Sequence, residues 1–357
     1  MNKFTQLLLL LITITTTTLC SSNPRTDLLK VPTGFKIELF ASGLSNARTM
    51  VRGKQGTIFV GTRSAGKVYA IKDSKVYIIA QNLNMPNGIA FHNNALYIAS
   101  VDRILRLDNI EQNLAKPPQA IIIRNNLPKA RHHGWRFIAF GSDGRLYISI
   151  GAPCNVCLKE GFAEIRSMKA DGSDEKVVAT GIRNSVGFTW HPQTKKLWFS
   201  DNGRDMLGDD IPADEINRVD NAGQNFGFPY CHGGTVPDPD YNGFSCKDFT
   251  PPAIQLGAHV APLGIAFYTE ANFPKKYQKQ LFVAEHGSWN RSKKSGYKIS
   301  MVKLQGSTVI GYETFVSGWL QGQSAWGRPA YILVMPDGSM LISDDKVGAI
   351  YRVTYQQ

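Results

Sequence analysis

Short apolar segments separated by turn residues recur six times along the chain. In each copy, one strand-like segment is followed after a turn by a second of the kind seen in Leu146-Tyr147-Ile148-Ser149. Asp-Gly turns at 143–144 and 337–338 precede two of these second segments and are typical of β-hairpins. The six second segments are 57–60, 96–99, 146–149, 197–200, 281–284 and 340–343. The pattern predicts paired strands in six repeated units.

A third strand-like segment follows in the copies, at 67–70, 103–106, 164–167, 215–218, 298–301 and 349–352. Units of four short strands, spaced by roughly 40 to 80 residues, are typical of propeller blades. The last copy ends after its third strand, so we expect 35–40 to supply its outer strand. The sequence therefore predicts an all-β, six-bladed β-propeller with four-stranded blades, closed by an N-terminal strand. A β-sandwich or a pair of β-domains is the alternative.

The N-terminal segment has the features of an export signal. Lys3 is followed by an apolar stretch at 7–12 that is too short to span a bilayer. We interpret 1–22 as a signal peptide and 23–357 as the propeller domain of an exported protein, periplasmic or secreted. Lipid attachment through Cys20 is an alternative, although the preceding residue is not small. No other segment approaches ~20 apolar residues, so no transmembrane segment is predicted.

Four cysteines lie beyond the signal segment. In an oxidising compartment this even set predicts two disulfides, Cys154 to Cys157 and Cys231 to Cys246. A c-type haem would need a histidine directly after Cys157, where Leu158 stands. Zinc held by the same four thiolates is the alternative, and export disfavours it.

Polar residues collect where each innermost strand is expected to begin. In a propeller these strands line the central channel, so their first residues look onto one face of the ring. These strand entries are Pro86-Asn87-Gly88, His132-His133-Gly134, Arg183-Asn184-Ser185, Ala258-His259-Val260 and Gly327-Arg328-Pro329. The second strands return to the same face at 201–204, 285–287 and 344–345. Each residue alone would more often be structural, but together they predict one pocket with histidine, arginine and carboxylate groups.

The charge of the chain narrows the choice of ligand for this pocket. The formal net charge is +12, yet export and the absence of a basic run or a recognised binding motif argue against nucleic acid. Arginine-rich clefts suit a rigid anionic small molecule, because guanidinium groups bind carboxylates bidentately. Loop carbonyls and carboxylates also suit calcium, which takes about 6 to 8 oxygen ligands. The residues alone therefore predict an anionic ligand and a calcium ion.

Several sequence blocks carry a family resemblance. They are His132-His133-Gly134-Trp135-Arg136 with 140–144, then 181–187, then 214–217 with 225–229, and finally Arg328 with 336–338. In this order they resemble the soluble glucose, aldose and sorbosone dehydrogenases that depend on pyrroloquinoline quinone (PQQ). Two further segments, 151–157 and 285–291, are most similar to the sorbosone dehydrogenase branch. The resemblance implies a PQQ- and Ca²⁺-dependent enzyme that oxidises an aldose sugar or sugar-derived aldehyde and uses an external electron acceptor.

The same resemblance implies roles for individual residues. His133 falls on the general base, which removes the hydroxyl proton of the substrate while hydride passes to the quinone. An imidazole of ordinary pKa, ~6.5, is mostly neutral near pH 7 and suits this step. Arg183 falls on the arginine that contacts the quinone, Asn184 on its polar neighbour, and Arg328 on an arginine that binds a cofactor carboxylate. His259 is expected beside the cofactor and is the next candidate for the base.

The resemblance also implies two calcium sites. Gly203 and Arg204 match positions whose main-chain carbonyls hold the catalytic calcium. Glu215 and the carbonyl of Phe226 match ligands of a second, structural calcium. Both sets are oxygen donors, as a calcium ion requires.

The chain departs from the pattern of the glucose-oxidising members at three positions. Pro86 stands where they have a glutamine near the substrate, and the adjacent Asn87 is expected to replace it in part. Ala330 stands where they have a second arginine. Their cofactor-binding lysine has no clear match, and we expect Arg291 or Lys293 to supply its charge. These departures put glucose itself in doubt as the substrate.

Two other functions remain open on the same fold. A calcium-dependent sugar lactone hydrolase would need no quinone, and it predicts a cradle of Glu, Asn and Asp at successive blades. A non-enzymatic propeller that binds a protein or a glycan is the second alternative, because such folds host many functions.

Overall fold

Short apolar segments form mainly antiparallel β-sheets in the computed structural model, which describes residues 23–356. The predicted signal peptide, including Cys20, lies outside the described residues. Within them, short 3₁₀ helices occur at Thr26–Leu28, Ile110–Gln112, Cys246–Asp248 and Lys275–Tyr277. None of the helices in this part of the chain has the length and apolar character needed to cross a membrane.

Six sheets form successive blades, five with four strands and one, in blade 3, with a short fifth strand at its edge. A single strand, β1 (Phe35–Ala41), precedes the first blade in the chain. Blade 1 contains β2 (Ala47–Arg52), β3 (Ile58–Thr62), β4 (Val68–Lys72) and β5 (Lys75–Ala80). Blade 2 contains β6 (Gly88–His92), β7 (Ala95–Ala99), β8 (Ile104–Leu107) and β9 (Ile121–Arg124). Blade 3 contains β10 (Ile138–Phe140), β11 (Leu146–Ile150), β12 (Glu164–Met168) and β13 (Lys176–Thr180).

In blade 4 the chain makes a long excursion between the third strand, which ends at Val219, and the outer strand, which begins at Ile254. Blade 4 contains β14 (Phe188–Trp190), β15 (Leu197–Asp201), β16 (Ala213–Val219) and β20 (Ile254–Ala258). The excursion holds β17 (Gln224–Asn225), which pairs with β13, and the small hairpin of β18 (Cys231–His232) and β19 (Val236–Pro237). The excursion therefore ties blade 4 to the outer edge of blade 3.

The last two blades complete the ring. Blade 5 contains β21 (Pro262–Phe267), β22 (Leu281–Glu285), β23 (Lys298–Gln305) and β24 (Thr308–Val316). The small hairpin of β25 (Leu320–Gln321) and β26 (Ser324–Ala325) follows it. Blade 6 contains β27 (Pro329–Val334), β28 (Met340–Asp344) and β29 (Ala349–Tyr355), with β1 as its fourth strand.

The N-terminal strand closes the ring as predicted. β1 pairs antiparallel with β29, and Phe35 lies opposite Tyr355. The Phe35 ring packs edge-on against Phe273, Tyr277 and Phe315, with ring centroids 4.8, 5.0 and 5.1 Å away. Such edge-to-face pairs add to the free energy of burial. The predicted six-bladed architecture is therefore confirmed, down to the chain segment that supplies the closing strand.

The innermost strands of neighbouring blades are in close contact, so the residues where they begin lie together at one end of the central channel. A Cβ atom on Gly187 in blade 4 would lie 2.3 Å from the Leu263 carbonyl oxygen in blade 5, so only glycine permits this approach. Between blades 3 and 4, Phe137 and Phe188 pack edge to face with their ring centroids 4.7 Å apart. The blades therefore hold their polar entry residues within reach of one another.

Both predicted disulfides are present. Cys154 is bonded to Cys157, with their Cα atoms 6.1 Å apart, and Cys231 is bonded to Cys246, with their Cα atoms 5.4 Å apart. The first closes a short loop that follows β11, and the second closes a loop within the excursion of blade 4. The zinc alternative is therefore wrong, because the four sulfur atoms are used in pairs.

Candidate active site

One cavity of about 530 Å³ opens where the innermost strands begin. Four of the five predicted strand entries contribute to its wall, through His132 and His133, Arg183 and Asn184, His259, and Arg328. Gly203 and His286, which follow the second strands of blades 4 and 5, also line it. The structure therefore brings together most of the polar residues that the repeat predicts at one face of the ring.

Aspartates at the ends of two second strands fix the neighbouring arginines. Asp201 ends β15, and its carboxylate accepts hydrogen bonds from the main-chain N–H groups of Arg183 at 2.9 Å and Asn184 at 2.6 Å. Asp344 ends β28 and accepts a hydrogen bond from the main-chain N–H of Arg328 at 2.9 Å. The same aspartate-to-backbone hydrogen bond thus positions two strand entries. Because the blades repeat, both arginines reach the cavity in the same way.

His133 is held as a neutral base with one defined tautomer. Its Nδ1 lies 2.9 Å from the carbonyl oxygen of Ala152, which can only accept, so Nδ1 carries the proton and Nε2 the lone pair. Burial, then the nearby charges of Arg183 and His132, lower the pKa of His133 well below 6.5. An imidazole in this state can accept a proton at neutral pH.

The backbone around His133 is strained and tightly packed. Its φ of 48° is left-handed, a conformation that side chains beyond glycine adopt rarely and that clusters at functional sites. A Cβ atom on Gly151 would lie 2.7 Å from the Cβ of His133. Glycine at 151 therefore allows the loop after β11 to pack directly on the histidine.

Arg183 is buried and fully engaged by the loops around it. Its Nε donates to the carbonyl oxygen of Asn155 at 2.8 Å, and its Nη2 donates to Oδ1 of Asn155 at 2.8 Å and to Asp205 at 2.9 Å. Its Nη1 donates to the carbonyl oxygen of Asn202 at 3.1 Å. The guanidinium is therefore a rigid, oriented cation on the cavity wall.

Arg328 presents a less compensated charge. Its Nε donates to the carbonyl oxygen of His286 at 3.0 Å, its Nη2 donates to that of Gly287, and its guanidinium lies 5.5 Å from the ring centroid of Tyr297. These contacts orient the group without neutralising it. Burial lowers its pKa.

Two arginines of blade 1 belong to the site, although the sequence pattern did not lead us to predict them. Arg48 pairs with the buried Asp345 at 2.7 Å, and the same carboxylate lies 2.7 Å from Nε2 of His286. Arg63 stacks over Trp135, with its guanidinium 4.9 Å from the ring centroid. Burial, then repulsion from Arg48, lower the pKa of Arg63. The repeat could have revealed them. Arg48 lies near the beginning of the first strand of blade 1, and Arg63 directly follows the second, as the predicted polar residues do in other blades.

Three residues expected near the cofactor lie outside the cavity wall. Asn87 is 1% exposed, and its Nδ2 donates to the carbonyl oxygen of Arg136 at 3.0 Å, which links blades 2 and 3. Arg291 pairs with Asp210 at 2.6 Å, and Lys293 is exposed. The strand entry of blade 2 is therefore the one that does not contribute to the cavity.

A second, much smaller cavity of about 10 Å³ shares lining residues with the main one, and both residues predicted for a structural calcium line it. Glu215 and Phe226 line it together with Asp201 and Gly203. Burial, then the neighbouring Asp201, raise the pKa of Glu215, because both disfavour its charged form.

A cation in this small cavity would need main-chain oxygen atoms. Among residues 23–356, no group of three or more His, Cys, Asp or Glu side chains is arranged to hold a metal ion. Calcium uses backbone carbonyls together with carboxylates, so the donor set of Glu215, Asp201 and the nearby carbonyls fits it. The side chain of Arg204 pairs with Asp238 and Asp240, which leaves the predicted role to its main-chain carbonyl.

Comparisons with known proteins place the chain in a family. A family model described as Glucose / Sorbosone dehydrogenase matches residues 165–296. A Borreliella burgdorferi protein, described as uncharacterized, is 38% identical over 379 residues, covering 100% of this chain and 98% of that protein. The chain belongs to the family of that protein. Segment 165–296 of this chain is similar to the glucose/sorbosone dehydrogenase family.

More distant similarities to other proteins were also found. A pyrroloquinoline quinone-dependent sugar dehydrogenase of Hypocrea jecorina is 23% identical over 318 residues, covering 71% of this chain and 72% of that protein. A structure of the Trichoderma reesei Carbohydrate-Active Enzymes Family AA12 gives a TM-score of 0.79 at 20% identity, covering 92% and 98% of the two chains. The holo PQQ domain of Coprinopsis cinerea pyranose dehydrogenase gives 0.76 at 18% identity, covering 91% and 97%. The two structural matches confirm the propeller fold.

Proposed function

We propose that this chain is an exported PQQ- and calcium-dependent dehydrogenase that oxidises a sugar or a sugar-derived aldehyde and delivers the electrons to an external acceptor. The observation that carries the proposal is the cavity itself. It combines His133, whose buried imidazole is neutral, with the cations Arg63, Arg183 and Arg328. A proton acceptor surrounded by oriented guanidinium groups suits an anionic cofactor and a substrate that loses a proton.

PQQ is a planar quinone with three carboxylate groups, and the cavity offers cations for them. Arg328 and Arg63 would hold its carboxylates, and Arg183 and Asn184 would lie against its ring system. Arg63 supplies the charge that the family's lysine would provide, because the guanidinium of Arg291 is already paired with Asp210. The relatives named for PQQ, from Hypocrea jecorina and Coprinopsis cinerea, support this choice of anion.

Calcium is proposed at two positions. The main-chain carbonyls of Gly203 and Arg204 would hold one ion near the cofactor, and Glu215 with the Phe226 carbonyl would hold a structural ion. Gly203 lines both cavities, so it lies between the two sites. The buried carboxylate of Glu215 supports the second site, since a cation would compensate its charge.

PQQ supplies a hydride acceptor when it is bound. The protein's own contribution is to accept the hydroxyl proton of the substrate at Nε2 of His133, while the Ala152 carbonyl keeps the proton on Nδ1. Burial, and then the positive charge of Arg183, lower the pKa of His133, which favours a neutral imidazole that can accept this proton. The sorbosone branch remains the predicted substrate preference, and it rests on segments 151–157 and 285–291.

Replacement of the two carboxylate-binding arginines should weaken PQQ binding. A hydrogen bond to a charged group contributes about 1.5–3 kcal/mol, so Arg63→Ala and Arg328→Ala should each raise the Kd for PQQ by roughly 10- to 150-fold. Fluorescence titration of the calcium-loaded apoprotein measures this Kd. Arg291→Ala is the matched control and should bind PQQ as the wild type does. Equal loss in the control, or no loss in Arg63→Ala, would show that Arg63 is not the replacement for the lysine.

A further inference from the structure

The short loop 152–157 contacts both His133 and Arg183. The carbonyl oxygen of Ala152 accepts a hydrogen bond from Nδ1 of His133 at 2.9 Å. The main-chain N–H of Ala152 donates to the carbonyl oxygen of Arg183 at 2.8 Å. Three residues later, the carbonyl oxygen and Oδ1 of Asn155 each accept from the Arg183 guanidinium at 2.8 Å. One loop therefore fixes the tautomer of the histidine and the direction of the arginine.

Asn155 is itself locked on its far side. Its Oδ1 also accepts from the N–H of Asp205 at 3.0 Å, and its Nδ2 donates to the carbonyl oxygen of Asp205 at 3.1 Å. The Asp205 carboxylate in turn pairs with Arg183 at 2.9 Å. The amide of Asn155 thus has one orientation, set by the loop that follows β15.

The disulfide holds this loop at the protein surface. Cys154 and Cys157 flank Asn155 and Val156, all four residues are half-buried, and the next residue, Leu158, is 68% exposed. A surface loop of this kind would otherwise sample many conformations, and ordering it costs conformational entropy. The covalent bridge limits those conformations in the unfolded chain and in any locally opened state.

We propose that the disulfide-closed loop 152–157 is a positioning element for the reaction centre, with Asn155 as the residue that orients Arg183. The inference depends on the proposed function for two points only, namely that His133 accepts the substrate proton and that Arg183 contacts the cofactor. Sites of this kind must be held close to their productive geometry by a supporting shell. The loop supplies that shell for two residues from different blades.

Two variants test the loop in the apoprotein, without any cofactor. Asn155→Leu keeps the approximate side-chain size but removes Oδ1, which accepts from Nη2 of Arg183. The Nη2 protons of Arg183 should therefore exchange with water about tenfold faster, as loss of one hydrogen bond implies. The His133 ring should keep its Nδ1–H tautomer, because its partner is Ala152. The double variant Cys154→Ser/Cys157→Ser should change both signals. Nitrogen-15 NMR of the arginine and histidine side chains reads the two effects separately.

Val156→Thr is the matched control, since it alters the same loop without touching either partner, and it should change neither signal. An unchanged rate of hydrogen exchange at the Arg183 guanidinium in Asn155→Leu would overturn the inference. If the double variant does not fold, Asn155→Leu alone decides between the two outcomes. In PQQ titrations, Asn155→Leu should raise the Kd by about tenfold. Altered NMR signals in a protein whose wild type does not bind PQQ would refute the proposed function and leave the positioning role standing.

Discussion

Replacing His133 with glutamine should lower the rate of cofactor reduction by about 10²–10⁴-fold, the contribution that a positioned base typically makes. Glutamine keeps the size and a hydrogen-bonding group but cannot accept the substrate proton. Calcium and PQQ should still bind, because Arg63, Arg183 and Arg328 remain in place. Stopped-flow absorbance after mixing the PQQ-loaded protein with sugar measures the rate.

The matched control is His259→Gln in the same cavity. Nε2 of His259 lies 2.8 Å from the carbonyl oxygen of Gly208, so this ring is engaged by the loop and should contribute little to the proton transfer. Wild-type rates in His133→Gln, with a large loss in His259→Gln, would move the base to His259.

The pH profile follows from the lowered pKa of His133. A protonated imidazole cannot accept a proton, so the rate should fall as the pH decreases through an apparent pKa below 6.5 and should be level near pH 7. The fall should be absent from the residual rate of His133→Gln.

Removing calcium should abolish PQQ binding. The ion that the Gly203 and Arg204 carbonyls are proposed to hold would supply a strong positive charge beside the anionic cofactor, and its removal would take that charge away. A chelator followed by gel filtration should give protein that does not bind PQQ until calcium is returned. PQQ binding that survives exhaustive chelation would contradict the calcium assignment.

The structural calcium gives the same experiment a second readout. A ligand bound only by the native state, at about 100 times its Kd, stabilises it by about 2.7 kcal/mol. Calcium should therefore raise the unfolding temperature of the wild type, and Glu215→Gln should reduce that rise. The variant keeps the shape of the side chain but removes one anionic ligand, so an unchanged calcium-dependent rise would exclude Glu215.

The architecture could be predicted because a propeller repeats its own pattern. Six in-phase copies fix the number of blades, and the incomplete last copy predicts that β1 completes blade 6. The excursion of blade 4 could not be placed in this way, because it follows no repeat. Its attachment to blade 3 depends on the two-residue pairing of β17 with β13, which has no pattern of its own.

The site was predictable to the extent that it obeys the same repeat. His133, Arg183, His259 and Arg328 come from equivalent strand entries, and all four line the cavity. Asn87 occupies an equivalent entry, yet its side chain turns to the Arg136 carbonyl, since tight packing between blades 2 and 3 offers that partner. Such a choice depends on tertiary contacts and leaves no mark in the local sequence.

The contribution of loop 152–157 was also invisible before the fold was known. The cysteine spacing predicts a bridge, but only the structure brings Asn155 to the guanidinium of Arg183, which lies 28 positions away in the sequence. Hydrogen bonds between loops of neighbouring blades depend on three-dimensional proximity alone. The residues that orient a site are therefore harder to predict than the residues that form it.

The most direct measurement of the central claim is the ultraviolet-visible spectrum of the purified protein reconstituted with PQQ and calcium, recorded before and after a panel of aldoses and sugar-derived aldehydes is added. We predict that the spectrum of bound, oxidised PQQ forms only with calcium, and that at least one member of the panel converts it to that of the reduced cofactor. Failure to bind PQQ in the presence of calcium, or a bound spectrum that no sugar or aldehyde changes, would contradict the account.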